Sequence, residues 1–284
     1  MANNMTIDLF NRVSHECSRI VTLRYSTSFS SAIRLLDHDL RAPVFNIYGF
    51  VRFADEIVDT FHGHDKELLL ATFKKDTYDA IQRGISLNPV LNSFQQTVNE
   101  FSIDHSLIEA FFRSMESDLT EHTYNRQGFE EYIYGSAEVV GLMCLYVFCG
   151  GSKIQYEELR SSARALGAAF QKVNFLRDIK SDFADLSRVY FPGCNFHNFT
   201  LHEKLHIESE IENDFAVAYQ GILKLPMKAR FGVYVAYKYY YSLFRKIKST
   251  MPQLIMQRRI RIANYHKAFI VLRATVKNGL RLIQ

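Results

Sequence analysis

Two stretches of this chain place acids and amides inside segments that otherwise read as buried helix. In the first, Pro43–Asp59, Asp55 and Asp59 stand four residues apart, one helical turn above each other, with Arg52 one turn earlier on nearly the same face. The rest of that segment is apolar around most of its circumference, as in a helix covered on several sides. In the second, Ala168–Asp182, the residues Gln171, Asn174, Asp178 and Asp182 follow at spacings of three, four and four. They form one stripe with an oxygen ligand at every turn, flanked by apolar Val173, Phe175, Leu176 and Ile179. Like charges this close inside a protein are unfavourable unless a cation stands between them. If the two helices face each other, the converging oxygens suit a hard divalent cation. Mg²⁺ commonly takes one or two carboxylates, keeps several waters and accepts substrate phosphate oxygens. One isolated pair of this kind is ordinarily a solvated surface feature, but two pairs in two apolar helices point to a site.

The elements that must position these stripes are helical. Apolar residues recur with helical period in segments near 5–24, 43–62, 65–84, 90–99, 104–122, 128–150, 155–183, 204–224, 227–249 and 264–280. Breaks fall at Ala42-Pro43, His62-Gly63-His64, Asn88-Pro89, Gly150-Gly151 and Phe191-Pro192-Gly193, with later boundaries at Leu225-Pro226 and Met251-Pro252. No alternating strand series, βαβ rhythm, repeat or low-complexity linker interrupts them, so residues 1–284 are expected to form one all-α bundle. Only 13 Gly and 5 Pro in 284 residues disfavour collagen-like and turn-dense all-β folds. With 48% hydrophobic and 23% charged residues, the composition excludes global disorder. No apolar run approaches the ~20 residues of a membrane span.

Residues 1–10 lack the basic and apolar regions of a secretory signal, so a cytoplasmic location is expected. The four cysteines, Cys17, Cys144, Cys149 and Cys194, include no CxxC pair and read as inert thiols. His62, His64, His197, His202 and His206 have no matching zinc pattern, and Gly150-Gly151 lacks the surroundings of a phosphate-binding loop. The net charge of +4 hides a division: residues 215–284 hold fourteen Lys and Arg and no acid, leaving the first 214 residues at −10. Such a tail suits anionic lipid, a polyanionic substrate, nucleic acid or plain solvent. Arg273, Lys277 and Arg281 repeat every four residues, opposite apolar Phe269, Val276 and Leu280, as in a helix resting on an anionic membrane.

The segments Tyr25-Ser-Thr-Ser-Phe-Ser30, Ile47-Tyr-Gly-Phe-Val-Arg-Phe-Ala-Asp-Glu-Ile-Val-Asp59, Tyr134-Gly-Ser-Ala-Glu-Val-Val-Gly-Leu-Met143 and Asn174-Phe-Leu-Arg-Asp-Ile-Lys-Ser-Asp182, with Arg188-Val-Tyr-Phe-Pro192, resemble the squalene/phytoene synthase family. The resemblance runs from about residue 15 to residue 275, and the Ser-Ala-Glu-Val-Val-Gly-Leu-Met stretch looks more like bacterial phytoene synthases. It implies a helical isoprenoid synthase fold around a central cavity, and head-to-head joining of two prenyl diphosphates. It also implies that Asp55, Asp59, Asn174, Asp178 and Asp182 hold Mg²⁺, with Mn²⁺ as the alternative. Arg52, Arg177, Gln171, Tyr48 and the stretch Tyr25, Ser26, Thr27 and Ser28 would hold the diphosphates. Tyr134 and Tyr240 would line the reaction cavity, and Arg259, Arg261 and Lys267 would stand near its mouth. Tyr25 replaces the His that many members carry there.

The expectation is therefore a 15-cis-phytoene synthase that joins two geranylgeranyl diphosphates through a cyclopropylcarbinyl intermediate, releasing diphosphate. The alternatives are a squalene or dehydrosqualene-type synthase using farnesyl diphosphate, or a non-catalytic lipid-binding or assembly protein of the same fold. No nucleotide signature is present, so NADPH is not expected, and neither is nucleic acid; peripheral contact with the inner membrane face is.

Overall fold

Helix starts are marked by side chains that satisfy the first free amides. Ser26, Asp65, Asn88, Asp104 and Asn125 each accept from a backbone N–H two or three residues on, and Thr200 with Glu203 forms a reciprocal capping box. In the computed structural model the order is α1 (Ala2–Tyr25), α2 (Thr27–Ile33), α3 (His38–Thr60), α4 (Lys66–Arg83), α5 (Pro89–Phe101), α6 (His105–Thr120) and α7 (Arg126–Ile133). A π-helical turn, Tyr134–Glu138, leads into α8 (Val139–Phe148), followed by α9 (Lys153–Ala184) and a short 3₁₀ turn at Phe196–Asn198. Then come α10 (Leu201–Lys224), α11 (Met227–Lys248), α12 (Pro252–Gln257) and α13 (Asn264–Gly279). The structure describes residues 2–121, 123–184 and 189–279, with the side chains of 2–5, 181–184, 197 and 279 outside that description. Among the described residues there is no strand, only an isolated bridge between Thr123 and Val189.

Two short helices, α2 and α12, escape the periodicity reading because 7 and 6 residues are too few to display a repeating apolar face. Helix α3 starts before Pro43 rather than at it. The amide that Pro43 lacks would have bonded to the carbonyl of Asp39, which lies in an exposed first turn where solvent satisfies it.

Helix α3 runs through the middle of the bundle. Its Phe50 stacks on Phe94 of α5 at 3.9 Å between ring centres, and Phe73, Phe111 and Phe112 surround that pair. Helices α3 and α9 each pack on α8 and face one another across a cavity. Close packing of the α9 wall depends on glycine. A Cβ on Gly167 would come within 2.7 Å of the Ala137 carbonyl oxygen in the π turn, and one on Gly221 of α10 within 2.2 Å of Ser162 Cβ. Both positions admit only hydrogen at this separation.

Candidate active site

The cavity has a volume of about 550 Å³. Helix α3 presents Ile47, Tyr48, Val51, Arg52, Asp55 and Asp59 to it, and α9 presents Leu166, Gly167, Phe170, Gln171, Asn174 and Asp178. Each set follows the 3–4 spacing of one helical face, so the two stripes legible in the sequence do face a common space. Along α9 the wall extends from Leu159 to Asp178, about 28 Å at 1.5 Å per residue. The acidic and basic groups occupy one end. The other end is apolar, with Leu36, Leu145, Phe148, Ile222 and Leu225.

One turn inward from the charged groups lies an aromatic cluster. The Phe29 ring centre is 5.8 Å from that of Tyr48, 5.9 Å from Phe170 and 5.6 Å from Tyr240. Phe170 and Tyr240 stack at 3.9 Å. Burial pushes the Tyr48 hydroxyl up to about 12 and raises that of Tyr240 as well. Both phenols therefore remain neutral at physiological pH.

At the polar end Arg52 is ion-paired with Glu56, has Asp55 at 3.8 Å and lies beneath the Tyr25 ring at 4.4 Å from its centre. Asp55 is pushed up to about 7, first by loss of solvation and then by the neighbouring Asp59, with Arg52 opposing. Its side chain, 31% accessible, lines the cavity. Across the cavity Asp178 is held by Arg259 Nε at 2.7 Å and by Arg177 Nε at 3.0 Å. Three buried polar atoms of the cavity wall have no partner among the described residues: Arg52 Nε, a donor, Asn174 Oδ1, an acceptor, and the Ser136 hydroxyl.

These orphans and their neighbours test the fit of a metal diphosphate. The acids and Asn174 Oδ1 call for a cation, and Arg52 Nε calls for an anion. Among the described residues no three acidic, histidine or cysteine side chains gather closely enough to chelate a metal by themselves. Mg²⁺, which completes its shell with water and phosphate oxygens, does not require such a cage. The residues present fit the group. Asp182 lies on α9, but its side chain falls outside the described residues, as do Leu280 and Arg281.

Of the remaining sequence candidates, Tyr25 and Ser26 line the cavity and so do Gln171, Arg177, Tyr240 and Arg259. Thr27 and Ser28 are not wall residues; Thr27 sits at the rim, where its hydroxyl accepts from Lys267 Nζ at 2.9 Å. Lys267 therefore reaches the mouth. Arg261 is exposed and is not in the wall; its backbone carbonyl accepts from Lys246 Nζ. Tyr134 is likewise absent from the wall and lies under the Arg164 guanidinium, at 5.2 Å. The tyrosine that reaches the cavity from this region is Tyr132, which donates to Asp118 Oδ2 at 2.6 Å. Tyr132 and Tyr134 are two residues apart and so point about 200° apart on a helix.

Asp118, another wall residue, also escaped the sequence reading. Its signal was available: it continues the buried face that carries Phe111 and Met115, where an acid is out of place. The four cysteines are free thiols, and burial pushes Cys144 up to about 12. Gly150 and Gly151 turn the chain between α8 and α9 with φ of +56° and +84°.

The class of protein defined by this fold and site is an all-helical bundle enclosing one long cavity, acidic and basic at one end and apolar at the other. The sequence profile of the family described as squalene/phytoene synthase matches residues 22–266, and this chain belongs to that family. It is 29% identical to the presqualene diphosphate synthase of Rhodopseudomonas palustris over 173 residues, 60% of each chain. It is 25% identical to the phytoene synthase of Arthrospira platensis over 86% of this chain and 87% of that one. Against the phytoene synthase of Cereibacter sphaeroides it is 30% identical, spanning 59% of this chain and 48% of that relative. Among solved structures, a dehydrosqualene synthase superposes with a TM-score of 0.81 at 17% identity, covering 95% of this chain and 98% of the other. A squalene synthase from Alicyclobacillus acidocaldarius gives 0.72 at 19% identity, over 84% and 94%. These superpositions establish the fold.

Proposed function

We propose that the protein is a Mg²⁺-dependent prenyltransferase that joins two geranylgeranyl diphosphates head to head. The product is 15-cis-phytoene, formed through the cyclopropylcarbinyl prephytoene diphosphate with release of diphosphate. One observation carries this reading. Opposite unmet requirements, the acceptor Asn174 Oδ1 beside the acids and the donor Arg52 Nε, sit together at the head of an apolar cavity. A metal-bound diphosphate with a long hydrocarbon tail satisfies both and fills the remainder.

Asp55, Asp59, Asn174 and Asp178 would hold Mg²⁺, joined by Asp182 on the strength of the sequence pattern. Bound there, the metal neutralises charge that builds on the departing diphosphate. Arg52, Arg177 and Arg259 orient the diphosphates and share that neutralisation, in a site where surrounding protein strengthens each interaction. The allylic cation left behind is attacked by the double bond of the second chain, and loss of a proton from that adduct closes the cyclopropane ring. The resulting cyclopropylcarbinyl diphosphate ionises in turn, rearranges and loses a proton. No reductant enters that sequence, so NADPH is not required.

The chain's own aromatic residues suit the cationic stages. Neutral Tyr48 and Tyr240 do not compete as nucleophiles, and with Phe29 and Phe170 they offer ring faces to the cation. Each such contact is worth roughly 0.5–2 kcal/mol. The apolar walls keep water from quenching it.

The test is incubation of purified protein with labelled geranylgeranyl diphosphate and Mg²⁺, without NADPH, and identification of the product by mass. A C40 triene centre with phytoene mass is expected; no C40 product overturns the reading. The farnesyl alternative draws on relatives of both kinds, among them a 4,4'-diapophytoene synthase of Staphylococcus haemolyticus at 24% identity. Offering both diphosphates in one reaction separates the two. Loss of every turnover, with lipid binding retained, would favour a non-catalytic lipid-binding or assembly role.

A further inference from the structure

Helix α13 is apolar on two opposite faces. On the inner face Ala274 is buried, with Ile270 and Val271 packed toward α11 and the core. On the outer face Tyr265, Phe269, Leu272 and Val276 are 80%, 57%, 63% and 54% exposed. At 3.6 residues per turn these four fall within about 60° of one another, in a stripe about 16 Å long. Single exposed apolar residues need no explanation, but four large ones in register do.

The stripe has one basic border. His266, Arg273 and Lys277 lie along the same side of it, at about 80–120° on the wheel. The basic residues thus flank the apolar stripe rather than oppose it as the sequence spacing suggested. Lys238 of α11 stands close enough to Arg273 and Lys277 to be repelled by both. Residues 215–284 contain no acid, and among the described residues neither Arg273 nor Lys277 forms an ion pair. The cationic group is therefore not balanced from within this part of the chain.

Helix α13 also lies at the cavity rim. Lys267 reaches Thr27, next to wall residues Tyr25 and Ser26, and His266 bonds to Ser242 at 2.9 Å. Two kinds of surface cover an exposed stripe of this sort: a second copy of the chain or a lipid bilayer. Four side chains offer on the order of a few hundred Å², short of the ~800 Å² per partner of a stable protein interface. A second copy would also bring an identical cationic border against this one. A bilayer imposes neither restriction.

We propose that α13 is a docking helix for an anionic lipid bilayer. Tyr265, Phe269, Leu272 and Val276 enter the acyl boundary, Arg273 and Lys277 meet lipid phosphates, and the cavity rim is held at the membrane surface. This surface stands independently of the reaction assigned to the cavity.

The chain contains no tryptophan, so Leu272→Trp places a single fluorescent reporter on the stripe. With vesicles of equal phosphatidylcholine and phosphatidylglycerol, its emission should move to the blue; with phosphatidylcholine alone the shift should be much smaller. In flotation assays with the anionic vesicles, the combined Phe269→Ser, Leu272→Ser and Val276→Ser variant should bind about tenfold less tightly. Arg273→Gln with Lys277→Gln should bind several-fold less tightly and lose most of the salt dependence. The second variant leaves the helix core untouched and tests the idea should the first not fold. An unshifted reporter, or equal flotation of parent and charge variant, overturns the proposal. So does a dimer in sedimentation velocity that the serine variant dissociates, which would assign the stripe to a second copy.

Discussion

The two acid-bearing faces of the cavity have the same spacing in sequence and opposite electrostatics in space. On α3, Asp55 has Asp59 one turn away, and its nearest cation, Arg52 at 3.8 Å, is already engaged with Glu56. On α9, Asp178 is gripped by Arg177 and by Arg259, which arrives from 81 residues downstream. Asp55 thus shares its one nearby cation with Glu56, whereas Asp178 is neutralised within the protein. Asp55 would hold a cation without giving up a partner, whereas Asp178 would do so only by releasing Arg177 and Arg259, which would then be available to a diphosphate. The lesson is that an acid pair acquires its character from what the fold brings against it.

Asp55→Asn breaks the α3 side and should have the largest effect. Loss of one carboxylate from the charge-handling end should lower kcat roughly 10²–10³-fold. Stability of the metal-free protein should hold or rise, because a desolvated carboxylate facing Asp59 has been removed. Steady-state kinetics together with thermal melting in chelator checks both parts; a large fall in Tm would mean that Asp55 is structural. Asp178→Asn breaks the other side. A loss of about 10–100-fold in activity is expected, accompanied by a fall of about 1 kcal/mol in stability as Arg177 and half-exposed Arg259 lose their partner. If the two substitutions behaved alike in chelator, the contrast between the faces would be wrong.

The contrast also predicts a pH dependence. Asp55 titrates near 7 in the folded protein and near 3.9 when unfolded. Between those values the native state binds the extra proton, so metal-free stability should fall as pH rises from about 4 to about 7 and then level off. At 1.4 kcal/mol per unit the whole effect is bounded at about 4 kcal/mol. Urea unfolding of the metal-free parent and of Asp55→Asn at pH 5 and pH 8 isolates this contribution. The gap between the two proteins should be small at pH 5 and should widen at pH 8 in favour of Asn; a gap that narrows reverses the sign and refutes it.

Much of this site was legible because helical spacing is local. The stripes of α3 and α9, with Arg52, Tyr48, Gln171 and Asn174, follow from counting residues along two segments, and they line the cavity as far as Asp178. What could not be counted was the result of long-range packing. Arg259 on Asp178 joins residues on separate elements, and the apolar stripe of α13 is recognisable only once its other face is seen to be buried. Helix α2 was hidden by its length of 7 residues. Asp118 is a different case, since an acid on the apolar helical face of Phe111 and Met115 is visible in the sequence alone.

The smallest expected effect concerns a pair of neighbouring tyrosines. Tyr134 stood out because it opens the Tyr-Gly-Ser-Ala-Glu stretch, yet a π-helical turn begins there and the ring lies beneath Arg164. Tyr132, in the last turn of α7, is buried, lines the cavity and donates to Asp118, placing its ring among Phe175 and Tyr190. Removing its hydroxyl leaves a buried carboxylate one donor short, next to the charge-handling end. Tyr132→Phe should therefore reduce kcat about tenfold. Tyr134→Phe keeps the ring under the guanidinium and removes nothing the cavity uses, so it should change activity by no more than about twofold. Measuring both variants under one set of conditions decides the register of this helix, because a loss confined to Tyr134→Phe would require the chain to be turned by half a revolution relative to the arrangement seen here.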